Sequence, residues 1–161
     1  MPGFELDLTD VRILDVLQRE GRLSNQEIAK RVALSPSPCL RRIKRLEEHG
    51  VIRGYVALLD PERLGLGLLA YVSVKLEKLG MMPMNEFRAH VQDWPEVLSC
   101  YAMTGEMDYL LRVQVEDLPH FSRFVMDQLL HQPGVVDVKS SFALELIKDT
   151  TALPLTRVLP A

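Results

Sequence analysis

Four cations crowd five consecutive positions, Arg41, Arg42, Lys44 and Arg45, with only Ile43 between them. Just ahead, in "LSPSP", Ser35 and Ser37 alternate with Pro36 and Pro38. Guanidinium and ammonium groups at this density attract phosphates, and the arginine fork can also grip a guanine edge through two hydrogen bonds. Seven Lys/Arg between Arg22 and Arg45 face a single acid, Glu27, although the whole chain has a net charge of −3. Attraction to phosphate is decided locally, within a Debye length of about 8–10 Å, so the global sign does not exclude it. Residues 1–60 hold ten Lys/Arg against nine Asp/Glu, and residues 61–161 hold nine against thirteen. The competing reading of the cation run is the solvated face of a small helical bundle.

Other chemistry is thinly represented. The chain has no Gly-rich phosphate loop, no GxSxG and no HExxH. His49, His90, His120 and His131 are scattered without acidic or cysteine partners at ligand spacing, so no metal site, catalytic residue or cofactor is expected. Cys39, near a helix start among cations, could have a lowered pKa, but no base accompanies it and a packing role is favoured. Arg112 lies on a strand, where it is either interfacial or solvated. Cys39 and Cys100 stand 61 positions apart with no CxxC, which points to a reducing cytoplasm. No window reaches the roughly 18 apolar residues of a membrane helix, and "MPGFELDLTD" lacks the pattern of an export signal.

The elements that would carry the cations are three short helices. Asp7 is an N-cap, and Val11, Ile13, Leu14 and Leu17 keep helical spacing up to Gly21. Ser24-Asn25-Gln26-Glu27 is a capping box opening a second helix, with Ile28 and Val32 on its buried side. A turn around Ala33-Leu34 leads to the third helix, which Ser35 or Ser37 caps, since proline is tolerated in a first turn. There Leu40, Ile43 and Leu46 are expected to point inward and the four cations outward, until Glu47, Glu48 and Gly50 end the run. The arrangement is a three-helix (winged) helix-turn-helix over residues 1–50.

After Gly50 the period changes. "VIRGYVALLD" is strand-like and belongs to a linker over 51–67. "LLAYVSVKLE" alternates, with Ala70, Val72, Val74 and Leu76 on one side and Leu69, Tyr71, Ser73 and Lys75 on the other. A helix over 85–92, a hairpin of "VLSCYAM" and "YLLRVQV" closed by "TGEMD", a helix over 117–130 and a strand over 135–147 follow. The order βαββαβ over 68–148 is a ferredoxin-like split βαβ, making the chain α+β, with a tail over 149–161. Both helices should cover one sheet face. The other face, with Leu69, Tyr71 and Leu110 beside Ser73, Arg112 and Gln114, is apolar enough to predict pairing with another copy.

On "ALSPSPCLRRIKRLEEHGVIRGYVALLDP" and "TGEMDYLL" the chain resembles the Lrp/AsnC (leucine-responsive, feast/famine) family of transcription regulators, from about Leu6 to Lys148. The resemblance implies an N-terminal DNA-binding helix-turn-helix, a C-terminal ligand-binding domain, homodimers assembling to octamers on double-stranded DNA, and an amino-acid effector such as leucine or methionine. Carried over by residue, its DNA contacts fall on Ser35, Ser37, Arg41, Arg42 and Arg45. Lys44 joins them from the charge pattern, and Ser24 and Asn25 are phosphate candidates through helix-start amides. Its effector site falls on Gly105, Glu106, Met107, Asp108 and Tyr109, with Ser140 and Ser141 of a neighbouring last strand. An ammonium suits a carboxylate such as Asp108, and a ligand carboxylate suits amides of a glycine turn. The departure from the pattern is Glu106-Met107, where many relatives carry Asp and an aromatic. The reading left open beside this one is a metabolite-binding or enzymatic ferredoxin-like module whose helices only mediate protein contacts.

Overall fold

The computed structural model describes residues 5–77 and 81–155; the first four residues and the tail beyond Leu155 lie outside them. The chain forms two compact units, one running up to Leu58 and resumed from Lys148, the other spanning Leu59–Ile147. The described part of the tail, Lys148 to Leu155, is therefore grouped with the helical unit.

In the first unit, α1 (Leu8–Arg19) begins at Asp7, whose side chain accepts from Asp10 N while Asp10 accepts from Asp7 N. This is a capping box with aspartate in place of the usual Glu or Gln. Ser24 and Glu27 make the expected reciprocal box ahead of α2 (Asn25–Arg31). At the following turn Ala33 has φ +56°, and Leu34 N donates to Ala29 O at 2.9 Å, closing α2 in the left-handed C-terminal pattern. Helix α3 (Pro36–Glu48) has Ser35 as its N-cap residue without a side-chain bond, and Pro36 occupies the first turn, where no amide is missed.

The core of this unit is Ile13, Ile28, Ala29, Val32, Cys39, Ile43 and Leu46. Cys39 replaces Leu40 in the expected inward stripe: the cysteine is fully buried and Leu40 is 42% exposed. At about 100° per residue, positions 39, 43 and 46 stay within one narrow face, whereas 40 falls about a quarter-turn away. Burial pushes the Cys39 thiol above its usual range, opposite to activation by neighbouring cations. The tail returns to α1, where the Gln18 side-chain amide donates to Leu153 O at 3.1 Å and accepts from Leu153 N at 2.8 Å. The segment 51–60, expected to be strand-like, forms no strand. Among the described residues its backbone has no neighbouring strand to complete a ladder, and Val56, Leu58 and Leu59 are exposed.

The second unit carries β1 (Leu68–Leu76), α4 (Met81–Asp93), β2 (Val97–Ala102), β3 (Tyr109–Val115), α5 (Leu118–Arg123) and β4 (Val135–Phe142). The sheet is antiparallel in the order β2-β3-β1-β4, the ferredoxin-like arrangement. Ala70, Val72, Val74 and Leu76 of β1 and Tyr109, Leu111, Val113 and Val115 of β3 are buried against Phe87, Val91, Trp94, Phe121, Phe124 and Leu129. Phe87 lies 6.0 Å from Trp94, edge-on, and 4.9 Å from Tyr109. Tyr71 on the opposite face is 41% exposed, as the alternation requires. Helix α5 widens into a π-type turn over Phe124–Leu129, with Leu130 N donating to Val125 O at 2.9 Å. The wide turn lets Phe124 and Leu129, five positions apart, both reach the core. Strand β4 stops at Phe142, short of the expected 147, because β1 offers pairing only as far as Leu69, whose carbonyl accepts from Ala143 N.

Candidate nucleic-acid interface and ligand-binding turn

The outward side of α3 is a shallow groove lined by Ser37, Leu40, Arg41, Lys44, Arg45 and Glu48. Arg41 and Lys44, three apart, share this side because the helix repeats about every 3.6 residues. Arg42 and Arg45 do not simply project outward as expected. Arg42 Nη1 donates to Asp7 Oδ2 at 2.6 Å and to Asp10 Oδ1 at 2.8 Å, and Arg45 Nη2 donates to Asp10 Oδ2 at 2.5 Å. Asp10 is fully buried, so its charge requires those partners. Burial raises the Asp7 carboxyl, but hydrogen bonds from Asp10 N and Arg42 outweigh it and hold the pKa below the ordinary value. Bonds to Asp7 and Asp10 push Arg42 further up, so its charge is permanent and neutralised in place.

Ser24 and Asn25 are also engaged within the fold. Ser24 N and Oγ both donate to Glu27 Oε2 at 2.7 Å, placing an acid where a phosphate would approach. Asn25 Nδ2 donates to Pro36 O at 2.8 Å, tying the start of α2 to the start of α3. The Ser24 amide and hydroxyl and the Asn25 side-chain amide are thus committed to partners within the fold. Ser35 and Ser37 stand at the entrance to α3, with Ser37 on the groove.

In the second unit the turn between β2 and β3 has Gly105 at φ +115°, a conformation that favours glycine. Met103 N donates to Asp108 O at 2.8 Å and Asp108 N to Val74 O at 2.9 Å. Asp108 Oδ2 accepts from Leu76 N at 2.8 Å, so this carboxylate already anchors the turn to β1. A carboxylate has about four lone-pair sites, which leaves it capacity for a second donor. Glu106 is exposed and pairs with Lys139 Nζ at 3.0 Å, and that bond lowers its pKa. Met107 is half-buried beside it.

Tyr109, expected at the ligand, is a core residue: it starts the buried side of β3, and its hydroxyl accepts from Arg88 Nε at 3.1 Å. Ser140 and Ser141 are separated by the pleat. Ser140 is opposite Val72 on the helix-covered side, and Ser141 is opposite Tyr71 on the open face. A ligand lying on one face meets only one of them from a given strand.

Two family descriptions match the chain: "Winged helix-turn-helix DNA-binding" over residues 6–53 and "Lrp/AsnC ligand binding domain" over residues 69–153. The chain belongs to the Lrp/AsnC family. It is 41% identical to the leucine-responsive regulatory protein of Salmonella typhimurium, over 94% of this chain and 93% of that one. It is 45% identical to the DNA-binding transcriptional activator DecR of Escherichia coli, over 93% and 99%. A transcriptional regulator from Neisseria meningitidis, solved as a complex with L-Met, shares 55% identity and superposes with a TM-score of 0.92, over 96% of this chain and 99% of that one. This Lrp/AsnC chain is therefore a DNA-binding transcription regulator with a ligand-binding domain, and not an enzyme. Among the described residues, no helix is long and apolar enough to cross a membrane.

Three connections in this regulator carry little or no signal in its sequence. Asp7 was read only as a cap and Asp10 not at all, though their spacing puts both in the first turn of α1. Lys139, which neutralises Glu106, lies 33 positions away, and no local pattern connects the two. The Gln18–Leu153 clamp spans 135 positions and left no signal either.

Proposed function

We propose that this regulator enters the DNA major groove with the outward side of α3, using Ser37, Arg41 and Lys44, with Ser35 at the entrance. The observation that carries the reading is the groove itself: Ser37, Arg41 and Lys44 share one exposed face on a helix whose start is fixed by Pro36. Residues 1–50 serve as the DNA-binding domain, 51–67 as linker and 68–148 as the domain for ligand and assembly, with the tail after 148 working with the first. Two copies pair and assemble further toward an octamer, supported by the exposed Tyr71 and the half-buried Leu69 and Leu110 on the uncovered sheet face. Pairing supports operators with half-sites about one helical turn, or a multiple, apart.

The effector is an apolar amino acid, methionine in the first place and leucine or a similar side chain next. The support is the relative solved with L-Met, together with the Gly105–Asp108 turn, where a glycine of positive φ stands close in sequence to a carboxylate with spare acceptor capacity. Work in the cytoplasm fits a DNA-bound regulator with two free cysteines, Cys39 and Cys100. The test is a thermal-shift screen of the twenty amino acids paired with DNA titrations. A specific ligand raises the melting temperature by mass action, and methionine should give the largest shift. Arg41→Gln with Lys44→Gln should weaken DNA binding and flatten its dependence on salt. A response flat to all twenty overturns the effector, and an unchanged salt dependence overturns the groove assignment.

A further inference from the structure

Among the described residues, Asp10 is the only charged side chain that is buried. A carboxylate in that position is costly unless it is paired and hydrogen-bonded. Its pairing is specific: Oδ1 takes Arg42, Oδ2 takes Arg45, and Oδ2 also accepts from Asp7 N at 3.2 Å. Asp7 adds a second carboxylate to Arg42. Two of the four cations of the DNA-facing helix are thus matched by two acids of α1, while Arg41 and Lys44 line the outward groove.

We propose that Asp10 is a positioning residue for DNA recognition: with Asp7 it holds Arg42 and Arg45 against α1 and confines the phosphate-attracting charge of α3 to Arg41 and Lys44. Attraction to phosphate is independent of sequence and supplies nearly all non-specific binding. Every guanidinium withheld from phosphates lowers affinity for random DNA more than affinity for a site that is also read through its bases. The carboxylate pair is then a specificity device, widening the ratio between operator and bulk DNA. The inference rests on α3 being the helix that enters the groove.

A purely structural Asp10 and a charge-withholding Asp10 predict opposite signs. If Asp10 only glued α3 to α1, Asp10→Asn would loosen the unit and weaken every DNA complex. Under the proposal, folded Asp10→Asn binds a random-sequence duplex more tightly. Its log K against log salt steepens by up to about 0.9 for each released phosphate-contacting group. Asp7→Asn/Asp10→Asn steepens it further, and the operator-to-random ratio falls in both variants.

The experiment is fluorescence-anisotropy titration of the full-length protein at several salt concentrations, on a selected binding fragment and on a random duplex. Folding is checked by circular dichroism. A folded Asp10→Asn with an unchanged or shallower slope overturns the proposal. Should Asp10→Asn not fold, Arg41→Gln and Arg42→Gln are compared in its place. The expected result is a slope loss for Arg41→Gln at least twice that for Arg42→Gln, and equal losses overturn the proposal. A slope indifferent to Arg41→Gln would remove α3 from the groove and take this inference with it.

Discussion

Replacing Asp108 by asparagine and, separately, by alanine distinguishes two jobs of one carboxylate. Its Oδ2 accepts from Leu76 N at 2.8 Å and so anchors the β2–β3 turn to the end of β1. Alanine removes the acceptor and leaves that amide without its partner, at a cost of about 1–3 kcal/mol. In a unit of this size that lowers the melting temperature by about 4–8 °C per kcal/mol. Asparagine keeps an oxygen in place, so Asp108→Asn should cost less than about 1 kcal/mol. If the same group also holds the ammonium of an amino acid, asparagine forfeits the charge-assisted contact. That contact is worth about 1.5–3 kcal/mol, or about a 10- to 150-fold rise in Kd. Isothermal titration with L-methionine beside thermal melts reads both quantities on the same samples. Binding by Asp108→Asn within about threefold of the wild type, with an unaltered melt, would refute the ammonium assignment and leave Asp108 as an anchor only.

Acid should attack the helical unit first. Four of its carboxylates lie below their ordinary values: Asp7 through hydrogen bonds that outweigh burial, Asp15 through Arg19, Glu20 through Arg31 and Glu27 through Ser24. Depressed values stabilise the fold above the unfolded pKa of 3.8 for Asp and 4.5 for Glu, and that stability drains away as pH falls through the folded values. Trp94, the single tryptophan, reports on the other unit, so helical circular dichroism should be lost at a higher pH than its emission changes; the reverse order would contradict the assignment. Phe87→Ala, emptying a site between Trp94 and Tyr109, should cost about 3–5 kcal/mol in a denaturant melt and alter Trp94 emission; a loss under about 1 kcal/mol would place Phe87 outside the core. Gln18→Ala removes both bonds to Leu153 and should speed tryptic cleavage after Lys148 while costing about 1 kcal/mol or less; unchanged cleavage would show that the clamp does not hold the tail.

Local chemistry was legible from residue types alone. The box at Ser24 and Glu27, the start of α3 within the serine–proline pair and the alternation of β1 all follow from interactions within four residues or from period two. All the failures but one share a cause, a partner distant in the chain. Arg42 and Arg45 belong to a basic stripe until α1 brings Asp10 to them across 32 and 35 positions. Leu40 outranks Cys39 in hydropathy, yet the phase of the helix decides which side chain goes inward. Ser140 and Ser141 read as one polar pair, and only register with β1 splits them between faces. The turn was found through its glycine and acid, while the hydrogen bonds that engage Asp108 and the packing that buries Tyr109 came from β1 and α4.

The clamp between Gln18 and Leu153 has a consequence for biosynthesis. Its two halves are separated by 135 positions, and the whole ligand-binding unit is translated between them. At about 5–20 residues per second, a nascent chain that has completed α3 at Glu48 carries its helical trio for about 5–21 s before the clasp exists. Ile13, Ile28 and Leu46 can collapse together in that interval, so early folding does not wait for the clasp. A ribosomal product that stops between Glu48 and Leu153 keeps the three helices and lacks the fastening, which makes the fastened state a mark of a chain translated past that point.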